Sequence, residues 1–390
     1  MPSALYDVAI IGGGVMGSSV AYHLLRSEPK IKVAVIERDP TYTQASSALS
    51  LGGIRVQFSL KENILMSLHA LERIKNFGEE MAVDDEKPFL NFRQEGYLFL
   101  INSQGKHAAL ESLNLQKQLG AKAEWWPLKK IKEKFPIFEA ERFEGGTYGP
   151  QDGYLDPYAL LMAFRKKAIS LGAYFITDEV KQILRSSSSV EGLLLKSGGK
   201  IISQIVVNAA GAWAADIASS VGVELPIRPI SRQVFAVKPA SFLPHPFPLV
   251  IAPSGLYFRP ETGGLILVGR SLSEDKISFD FTWTWERFQN ILWPELAEIV
   301  PSFAQLKLIR GWSGLYDQNL LDSNAILGTW PELAGFFLIN GFSGHGLQQS
   351  FAAGRYLSEL ILHLKPVLDL SCFSPQRILE NRPLAEGGIV

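Results

Sequence analysis

Short apolar runs and amphipathic segments alternate along the chain, and their order predicts a mixed α/β protein. Residues 8–11 form a β-branched apolar run, which is typical of a strand buried on both faces. A helical pattern follows from residue 18 to residue 26, and residues 32–36 form a second apolar run. The N-terminal segment therefore predicts a strand–helix–strand unit of a parallel sheet.

The same reasoning assigns elements to the rest of the chain. Helices are predicted at residues 62–77, 107–119, 158–171, 286–299 and 348–364, and strands at residues 96–101 and 173–176. Gly172 directly follows the third of these helices and is a suitable C-cap. Residues 216–319 otherwise have mainly the pattern of strands.

Four aromatic residues in that region alternate at a spacing of two, namely Phe279, Phe281, Trp283 and Trp285. This spacing predicts a strand with one aromatic face. Such a face could pack on the core, or it could line a substrate site or contact a partner. Packing on the core is the favoured interpretation.

The turn between the first strand and the first helix carries a nucleotide-binding motif. Gly12, Gly14 and Gly17 have the spacing Gly-x-Gly-x-x-Gly. The first glycine permits the tight turn, the second lets a pyrophosphate approach the backbone, and the third lets helix and strand pack closely. Glu37 ends the second strand, near the spacing expected of a carboxylate that binds a ribose hydroxyl. The segment predicts a dinucleotide site, but the glycines alone do not distinguish NAD from FAD.

Composition narrows the classes of protein that fit. The chain has 390 residues, 47% of them hydrophobic, which predicts two to three domains with a substantial core. Lys and Arg number 38 against 39 Asp and Glu, so the charge gives no support for a nucleic-acid partner or an anionic membrane. The single cysteine, Cys372, and the scattered histidines predict no internal disulfide and no metal site. Since there is no long apolar run and no signal-peptide pattern, we expect a cytoplasmic protein without a membrane span.

Four further stretches resemble the FAD-dependent oxidoreductases of the D-amino-acid oxidase family, which includes glycine oxidase, sarcosine oxidase and dimethylglycine dehydrogenase. They are ASSALSLGGIR at residues 45–55, VVNAAGAW at 206–213, GLYFRP at 255–260 and GFSGHG at 341–346. They occur in the family's order, and with the first strand they span residues 7 to about 360. Within the family, residues 341–349 and 386–390 look most like FAD-dependent oxidoreductase domain-containing proteins. That subgroup includes an assembly factor of a mitochondrial respiratory complex.

The resemblance implies an α/β fold with two domains. One is a Rossmann-like FAD-binding domain of the glutathione-reductase type, and the other is an α+β substrate domain on a large, mostly antiparallel sheet. The FAD-binding domain is expected to be discontinuous, with residues 1–88, 152–215 and 320–371. The substrate domain would comprise residues 89–151 and 216–319, and residues 372–390 would form a C-terminal tail.

The cofactor that the resemblance implies is noncovalently bound FAD. The implied cofactor-binding residues are Gly12, Gly14, Val15, Met16, Gly17, Glu37, Arg38, Ser46, Ser47, Gly52, Gly53, Ile54, Val180, Ala210, Gly211, Trp213, Gly314, Tyr316, Gly344, His345, Gly346, Leu347 and Gln348. The loop at residues 341–346 precedes a helix, so its N–H groups and the positive helix end are expected to face the flavin. Such a helix end would stabilise the negative charge of the reduced flavin.

Four residues are candidates for the chemistry. Arg55 aligns with a family arginine beside the flavin ring, where a guanidinium would tune the flavin potential and the substrate pKa. Tyr257 and Arg259 are two residues apart on a predicted strand, so they face one side and could bind a carboxylate together. His345 could bond to the flavin or the substrate. The plainer alternatives are a surface ion pair for Arg55, packing for the strand pair and a structural role for His345.

The chain departs from parts of the family. Monomeric sarcosine oxidases bind the substrate carboxylate with an arginine and use a lysine at positions that are Phe58 and Gln348 here. Relatives with covalent flavin use a cysteine or a histidine at positions where this chain has neither. Residues 264–269 lack the lysine that activates oxygen in those oxidases, which favours a dehydrogenase over an oxidase.

The implied reaction is oxidation of the C–N bond of an amino acid or of a secondary or tertiary amine, of the glycine, sarcosine or dimethylglycine type. A hydride passes to flavin N5, and the imine product hydrolyses in water. The electron acceptor could be oxygen, a quinone or a protein. Three alternatives remain: a flavoprotein with an assembly or partner-binding role, oxidation of a hydroxy acid, and an NAD-dependent dehydrogenase.

Overall fold

The helices and strands form two large sheets with helices packed around them. A computed structural model describes residues 4–139, 141–240, 243 and 246–387. Its α-helices are Val15–Ser27, Ser46–Leu49, Lys61–Lys75, Phe77–Glu80, Lys106–Gln118, Leu128–Lys134, Pro157–Ser170, Ala214–Ser219, Trp285–Arg287, Trp293–Ile299, Gly346–Ile361 and Gln376–Leu379. Short 3-10 turns lie at Gly211–Trp213, Thr262–Gly264, Pro301–Ala304 and Ser371–Phe373.

The first sheet, called the parallel sheet below, contains the N-terminal strand. Within the described residues its strand order is Ile326–Thr329, Phe336–Asn340, Ile205–Asn208, Val8–Ile11, Val33–Glu37 and Tyr174–Thr177. The first two strands pair antiparallel and all other neighbours pair in parallel. Val8–Ile11 lies inside the sheet and is buried along its whole length, as a strand covered on both faces should be.

Each face of this sheet is covered by different elements. Val8 and Ile10 belong to a core cluster that includes residues of the helices Val15–Ser27 and Gly346–Ile361. The opposite face is covered by a smaller sheet. Its strands are Ala4–Leu5, Lys200–Ile202, Val190–Leu195 and Val180–Arg185.

The second large sheet, called the antiparallel sheet below, is formed mainly by the second half of the chain. Its strand order in the described residues is Leu306–Asn319, Ile227–Pro239, Leu265–Arg270, Leu256–Glu261, Leu249–Ile251, Tyr97–Ile101, Gly145–Gly149 and Glu124–Pro127. All neighbours pair antiparallel except Leu249–Ile251 with Tyr97–Ile101. A separate short ladder joins Gly53–Ile54 to Gly153–Tyr154. The expected fold class, α/β with a large and mostly antiparallel second sheet, is confirmed, whereas the domain boundaries stay a prediction.

Several predicted helices lie within three residues of the observed ones. The helix expected at residues 158–171 is Pro157–Ser170, where the Asp156 carboxylate accepts from two N–H groups of the first turn. Gly172 follows its end with φ +109°, as the predicted C-cap requires. The helix expected at residues 286–299 is interrupted by a π-helical turn at Phe288–Leu292.

The predicted aromatic strand at residues 279–285 is wrong. Residues 278–284 form no helix or strand, and the side chains of Phe279, Trp283 and Trp285 are about 40% exposed (42%, 39% and 45%). Phe279 stacks on Trp213 at 5.3 Å, while Trp283 meets Phe235 edge-on at 6.0 Å. Phe279 and Trp283 thus pack on different elements, and the alternation does not produce a common strand face.

Candidate functional site

A cavity of about 780 Å³ lies where the carboxyl ends of the parallel strands meet the antiparallel sheet. Ile11, Glu37 and Ala209 line it at the ends of three parallel strands. Val234 and Tyr257 line it from the antiparallel sheet. The carboxyl edge of an open parallel sheet is the usual place for a ligand in such folds.

The glycine turn enters this cavity, and its three motif glycines are required for different reasons. Gly12 has φ +95°, and a Cβ there would lie 2.6 Å from the Ala209 carbonyl oxygen. A Cβ on Gly17 would lie 1.9 Å from the Gly12 carbonyl oxygen, so this glycine permits close packing of the helix. A Cβ on Gly14 would meet nothing nearer than Ser47 Oγ at 3.6 Å, and Gly14 lines the cavity. The protein therefore leaves space beside Gly14 that a ligand in the cavity could occupy.

The N-terminus of the first helix is free to bind an anion. Its N-cap is Gly14, and no side chain caps it by a hydrogen bond. The N–H group of Val15 meets Ser47 Oγ at 3.3 Å, and Ser46 Oγ donates to the Leu315 carbonyl at 2.5 Å. The other N–H groups of the first turn and the helix dipole favour a phosphate at this position.

Glu37 marks one end of the cavity. Its carboxylate accepts from the N–H groups of Gly13 and Asp39, both at 2.8 Å. Burial raises the pKa of Glu37, although these two bonds and Arg38 oppose the rise. The Arg38 guanidinium lies 3.7 Å from the centre of the Trp213 ring. A carboxylate at the end of the second strand, beside an aromatic and cationic wall, fits the adenosine half of a dinucleotide.

Arg55 and His345 lie together at the other end. Arg55 is 4% exposed, and its Nη2 is 3.1 Å from His345 Nε2. Its Nη1 donates to the Gln57 carbonyl, and its backbone N–H donates to Gln348 Oε1 at 2.7 Å. Burial, together with the Arg55 cation, lowers the pKa of His345 to about 3. His345 is therefore neutral at physiological pH, and its Nε2 accepts from Arg55.

Three tyrosines, Tyr97, Tyr257 and Tyr316, line the same end of the cavity. Burial raises the pKa of all three, so their hydroxyls stay protonated. Each packs on a glycine whose Cβ would collide with it: Gly53 against Tyr97 at 1.9 Å, Gly269 against Tyr257 at 2.4 Å, and Gly344 against Tyr316 at 2.4 Å. The shape of this end depends on the absence of a side chain at these three positions.

The structure brings most of the predicted site residues to the cavity. Those that line it are Gly12, Gly14, Val15, Met16, Glu37, Arg38, Ser46, Ser47, Gly53, Arg55, Val180, Ala210, Gly211, Trp213, Tyr257, Gly314, Tyr316, Gly344, His345, Gly346, Leu347 and Gln348. Gly17, Gly52, Ile54 and Arg259 are not among the lining residues. At Gly52, φ is +75° and a Cβ would lie 1.9 Å from the Leu155 carbonyl oxygen, so that glycine serves the turn.

The structure does not bring Arg259 together with Tyr257 at the cavity. Arg259 Nε donates to the Leu51 carbonyl at 3.0 Å, and Nη1 bonds to the Pro260 carbonyl and to Glu261. Its guanidinium also lies 4.2 Å from the centre of the Tyr154 ring. The two residues share a strand, but the structure does not support a shared carboxylate site.

Sequence reasoning missed several charged residues that line the cavity, among them Arg232 and Asp317. Arg232 lies on the strand Ile227–Pro239, two residues before Val234, which also lines it. Asp317 accepts from the N–H groups of Gly341 and Phe342 at 2.8 and 3.2 Å, and burial raises its pKa to about 6. Strand alternation with Val234 was the available signal for Arg232, whereas Asp317 depends on a contact across the fold.

No helix in the described ranges is both long and apolar enough to cross a membrane. No cluster of three or more His, Cys, Asp or Glu side chains in those ranges could hold a metal ion. Residues 388–390 of the terminal motif lie outside the described residues.

Comparisons with known proteins agree with the geometry. Residues 7–360 match the family model for FAD dependent oxidoreductase, DAO. FAD-dependent oxidoreductase domain-containing protein 1 of Xenopus laevis is 37% identical, over 100% of this chain and 86% of that protein. The structure of L-proline dehydrogenase from P. horikoshii superposes with a TM-score of 0.88 at 27% identity, covering 98% of this chain and 100% of the other. Glycine oxidase from Geobacillus kaustophilus superposes with a TM-score of 0.82 at 26% identity, covering 95% and 98% of the two chains.

The resemblance inferred from sequence motifs is thereby confirmed, and so is FAD as the cofactor. The glycine turn, the uncapped helix end and the carboxylate at Glu37 fit the adenosine diphosphate half of that molecule. The chain belongs to the D-amino-acid oxidase (DAO) family of FAD-dependent oxidoreductases.

Proposed function

We propose that this flavoprotein oxidises the C–N bond of an amino acid or of a secondary or tertiary amine. The observation that carries the proposal is the buried pair of Arg55 and neutral His345, facing a cavity lined by tyrosines. The names of two structural neighbours, proline dehydrogenase and glycine oxidase, support substrates of this class.

Bound FAD supplies the acceptor for a hydride, at N5 of its ring. The chain must then hold the substrate with its nitrogen unprotonated, because the nitrogen lone pair drives departure of the hydride from the adjacent carbon. A fixed cation such as Arg55 lowers the pKa of a nearby ammonium group and so favours loss of its proton to water. The substrate leaves as an imine or iminium, which water hydrolyses to a carbonyl compound and an amine.

His345 is proposed to position Arg55 rather than to transfer a proton. With a pKa of about 3 it stays neutral in the working range, and its Nε2 accepts the Arg55 hydrogen bond. Gln348 holds the backbone of Arg55 through its Oε1. The guanidinium therefore has a fixed orientation before any ligand binds, which is the form of electrostatic stabilisation that enzymes use most.

The loop at residues 341–346 is proposed to face the flavin. Asp317 holds the loop through two backbone N–H groups, and the helix Gly346–Ile361 begins directly after it without a side-chain cap. The positive end of that helix would stabilise negative charge on a reduced flavin.

Anaerobic visible spectra of the purified holoprotein test the proposal. The oxidised-flavin band should bleach on addition of one compound from a panel of amino acids, N-methyl amino acids and cyclic imino acids. Admission of air to the bleached sample then separates an oxidase, which recovers its band at once, from a dehydrogenase, which needs another acceptor.

A flavin that stays oxidised against the whole panel would contradict the proposal. The same spectra taken with hydroxy acids would then test the alternative substrate class. If those also leave the flavin oxidised, the partner-binding alternative is favoured.

A further inference from the structure

Asp152 is a fully buried carboxylate near Arg55 that the proposed chemistry leaves unused. The residue is 0% exposed and is not among those that line the cavity. It follows the strand Gly145–Gly149 of the antiparallel sheet and precedes the short strand Gly153–Tyr154, which pairs with Gly53–Ile54. Asp152 therefore lies where the antiparallel sheet meets the segment that carries Arg55.

The hydrogen bonds of Asp152 connect it to two parts of the cavity wall. Its Oδ1 accepts from the N–H of Val56, and its Oδ2 accepts from Nε2 of Gln57, both at 3.1 Å. The same Nε2 donates to the Tyr97 carbonyl at 3.2 Å, and the Gln57 carbonyl accepts from Arg55 Nη1. Since Arg55 and Tyr97 both line the cavity, Asp152 and Gln57 join the two residues from behind.

The charge of Asp152 is poorly compensated, because both of these donors are uncharged. Among the described residues, the titratable groups that act on it are Arg55, Tyr97 and Tyr148. Burial raises the pKa of both tyrosines, so they stay protonated and Arg55 is the one cation of this set. Burial also raises the pKa of Asp152 to about 7, although its two hydrogen bonds and Arg55 oppose the rise.

Gln57 can bond to either protonation state of this carboxyl group. Its Oε1 is buried and has no hydrogen-bond partner among the described residues. While Asp152 is ionised, Nε2 of Gln57 donates to it. If Asp152 binds a proton, rotation of the amide would let Oε1 accept from the new O–H group and would release Nε2 from the Tyr97 carbonyl. A change of charge at Asp152 would therefore reach the strand Tyr97–Ile101.

Stability alone does not explain a carboxylate at this position. Because the folded pKa lies above the ordinary value of 3.8, the folded state prefers the protonated form. The stability that this preference provides is complete below the ordinary pKa and is lost as the pH rises through about 7. An asparagine would fill the same space without that loss.

We infer that Asp152 is a positioning residue for Arg55: its carboxylate holds the segment 55–57 against the strand of Tyr97 and offsets part of the positive charge that Arg55 presents to the flavin. This inference rests on the part of the proposed function that places Arg55 beside the flavin. Since a negative charge opposes the uptake of electrons nearby, the flavin is harder to reduce when Asp152 is ionised than when it is protonated. Reduction of the flavin therefore favours uptake of a proton from the solvent by Asp152.

The midpoint potential of the bound flavin tests the inference without a substrate. It is measured against reference dyes between about pH 5.5 and about pH 8.5, on either side of neutrality. Asp152→Asn keeps the shape of the side chain and removes its charge. At the alkaline end, this variant should be easier to reduce than wild type by about tenfold in the equilibrium constant, or about 30 mV for two electrons. At the acid end, where Asp152 of the wild type is protonated, the two potentials should agree.

Urea unfolding of the apoproteins separates this role from a purely structural one. At the alkaline end, Asp152→Asn should be at least as stable as wild type, because it removes the cost of the buried charge. Asp156→Asn is the matched control in the same segment. Its carboxylate accepts from the N–H groups of Tyr158 and Ala159 at the start of the helix Pro157–Ser170. This variant should lose stability but keep the wild-type potential at every pH.

The outcomes distinguish this inference from the proposed function. Equal potentials of wild type and Asp152→Asn at every pH, or a difference between them that does not change with pH, would overturn the inference. A flavin that no amine or amino acid reduces, with the pH-dependent difference intact, would remove the proposed reaction and leave the role of Asp152 in place.

A second variant covers the case in which Asp152→Asn does not fold with FAD. Gln57→Leu removes a hydrogen bond that favours the ionised form of Asp152. The pH at which Asp152 begins to lower the flavin potential should therefore move upward. A potential that follows the wild-type dependence on pH in this variant would overturn the inference.

Discussion

At the end of the cavity where Arg55 lies, the local charge depends on the protonation of Arg55 and His345. Burial lowers the pKa of Arg55, while Tyr97, Glu386 and Asp152 oppose that shift. The nearby His345 is neutral, so it orients the guanidinium without adding a second positive charge. A cation held in this way should act on any negative charge that develops beside it.

Replacement of Arg55 by alanine should therefore make the FAD midpoint potential more negative. Loss of one charge-assisted interaction, about 1–2 kcal/mol, corresponds to about 20–40 mV for a two-electron couple. With a reducing substrate, the rate of flavin reduction should fall about 100-fold while FAD stays bound. Spectroelectrochemical titration and anaerobic stopped-flow absorbance measure the two effects.

Arg55→Lys is the control, since it keeps the charge and should recover part of both values. If the Arg55→Ala variant loses FAD but its remaining bound flavin is reduced at the wild-type rate, Arg55 has a structural role and not a catalytic one.

The close contact between Gly53 and Tyr97 gives a second prediction for single residues, which concerns steric fit and not charge. A Cβ on Gly53 would lie 1.9 Å from Tyr97 Oη but 3.2 Å from the ring carbon that carries it. Gly53→Ala should therefore destabilise the protein by about 1–3 kcal/mol. Tyr97→Phe removes the colliding atom, so the double variant should recover more than half of that loss. Urea unfolding of the four proteins measures the coupling, and additive costs would contradict the predicted collision.

At the scale of elements, the sequence predicts best what is determined locally. The glycine turn is correct in its positions because a strand, a turn and a helix follow one another within 20 residues. The helix Pro157–Ser170 was predicted within one residue, because Asp156 and Gly172 mark its ends.

The predictions that failed depend on contacts between distant segments. Asp275, in the segment before Phe279, pairs with Arg232 on the strand Ile227–Pro239, a contact that the alternation at residues 279–285 does not reveal. Arg259 was predicted to share a carboxylate site with Tyr257 because the two lie two residues apart on one strand. In the structure, Arg259 turns to the Leu51 carbonyl instead. Pairing and register of the strands decide these contacts, and neither follows from the pattern of a single strand.

In the glycine turn and the helix after it, alanine substitution at Gly17 and at Gly14 should have different effects on stability. Gly17→Ala places a Cβ 1.9 Å from a backbone oxygen, so it should destabilise the apoprotein by about 3 kcal/mol and weaken FAD binding. Gly14→Ala meets no atom nearer than 3.6 Å and should cost the apoprotein about 1 kcal/mol or less.

The Gly14→Ala substitution should nevertheless weaken FAD binding. A methyl group there occupies the space that a pyrophosphate needs, so FAD affinity should fall at least about tenfold. Urea unfolding of the apoproteins and titration of FAD by fluorescence measure the two properties separately. Normal FAD affinity in the Gly14→Ala variant would place the pyrophosphate elsewhere.

At the scale of the whole molecule, the C-terminal segment is hydrogen-bonded to the start of the helix Lys61–Lys75 and the residues just before it. Glu386 accepts from the N–H and Oγ of Ser59, from the N–H of Leu60 and from the amide of Asn63. The Asn63 carbonyl oxygen in turn accepts from Gln349, on the helix that follows the loop at residues 341–346. Within the predicted tail of residues 372–390, Glu386 bonds to the start of the helix Lys61–Lys75, a few residues after Arg55.

This contact predicts a dependence of stability on pH. Burial would raise the pKa of Glu386, but hydrogen bonds from Asn63, Ser59 and Leu60 outweigh it and hold the pKa below its ordinary value of 4.5. Because the folded state prefers the ionised form, the stabilisation is complete above the ordinary pKa and is lost as the pH falls through the lower folded value. Glu386→Gln should lower the free energy of unfolding by about 1–3 kcal/mol at pH 7.

The difference between wild type and Glu386→Gln should then shrink as the pH falls below about 4.5 towards the folded pKa of Glu386. Urea unfolding at a series of pH values measures it. Glu380→Gln is a matched control in the same segment, since Glu380 pairs with Arg382 at the surface and should show no measurable change at pH 7. A Glu386→Gln difference that persists unchanged into acid would mean that shape, and not the charge of the carboxylate, holds Glu386 against Ser59, Leu60 and Asn63.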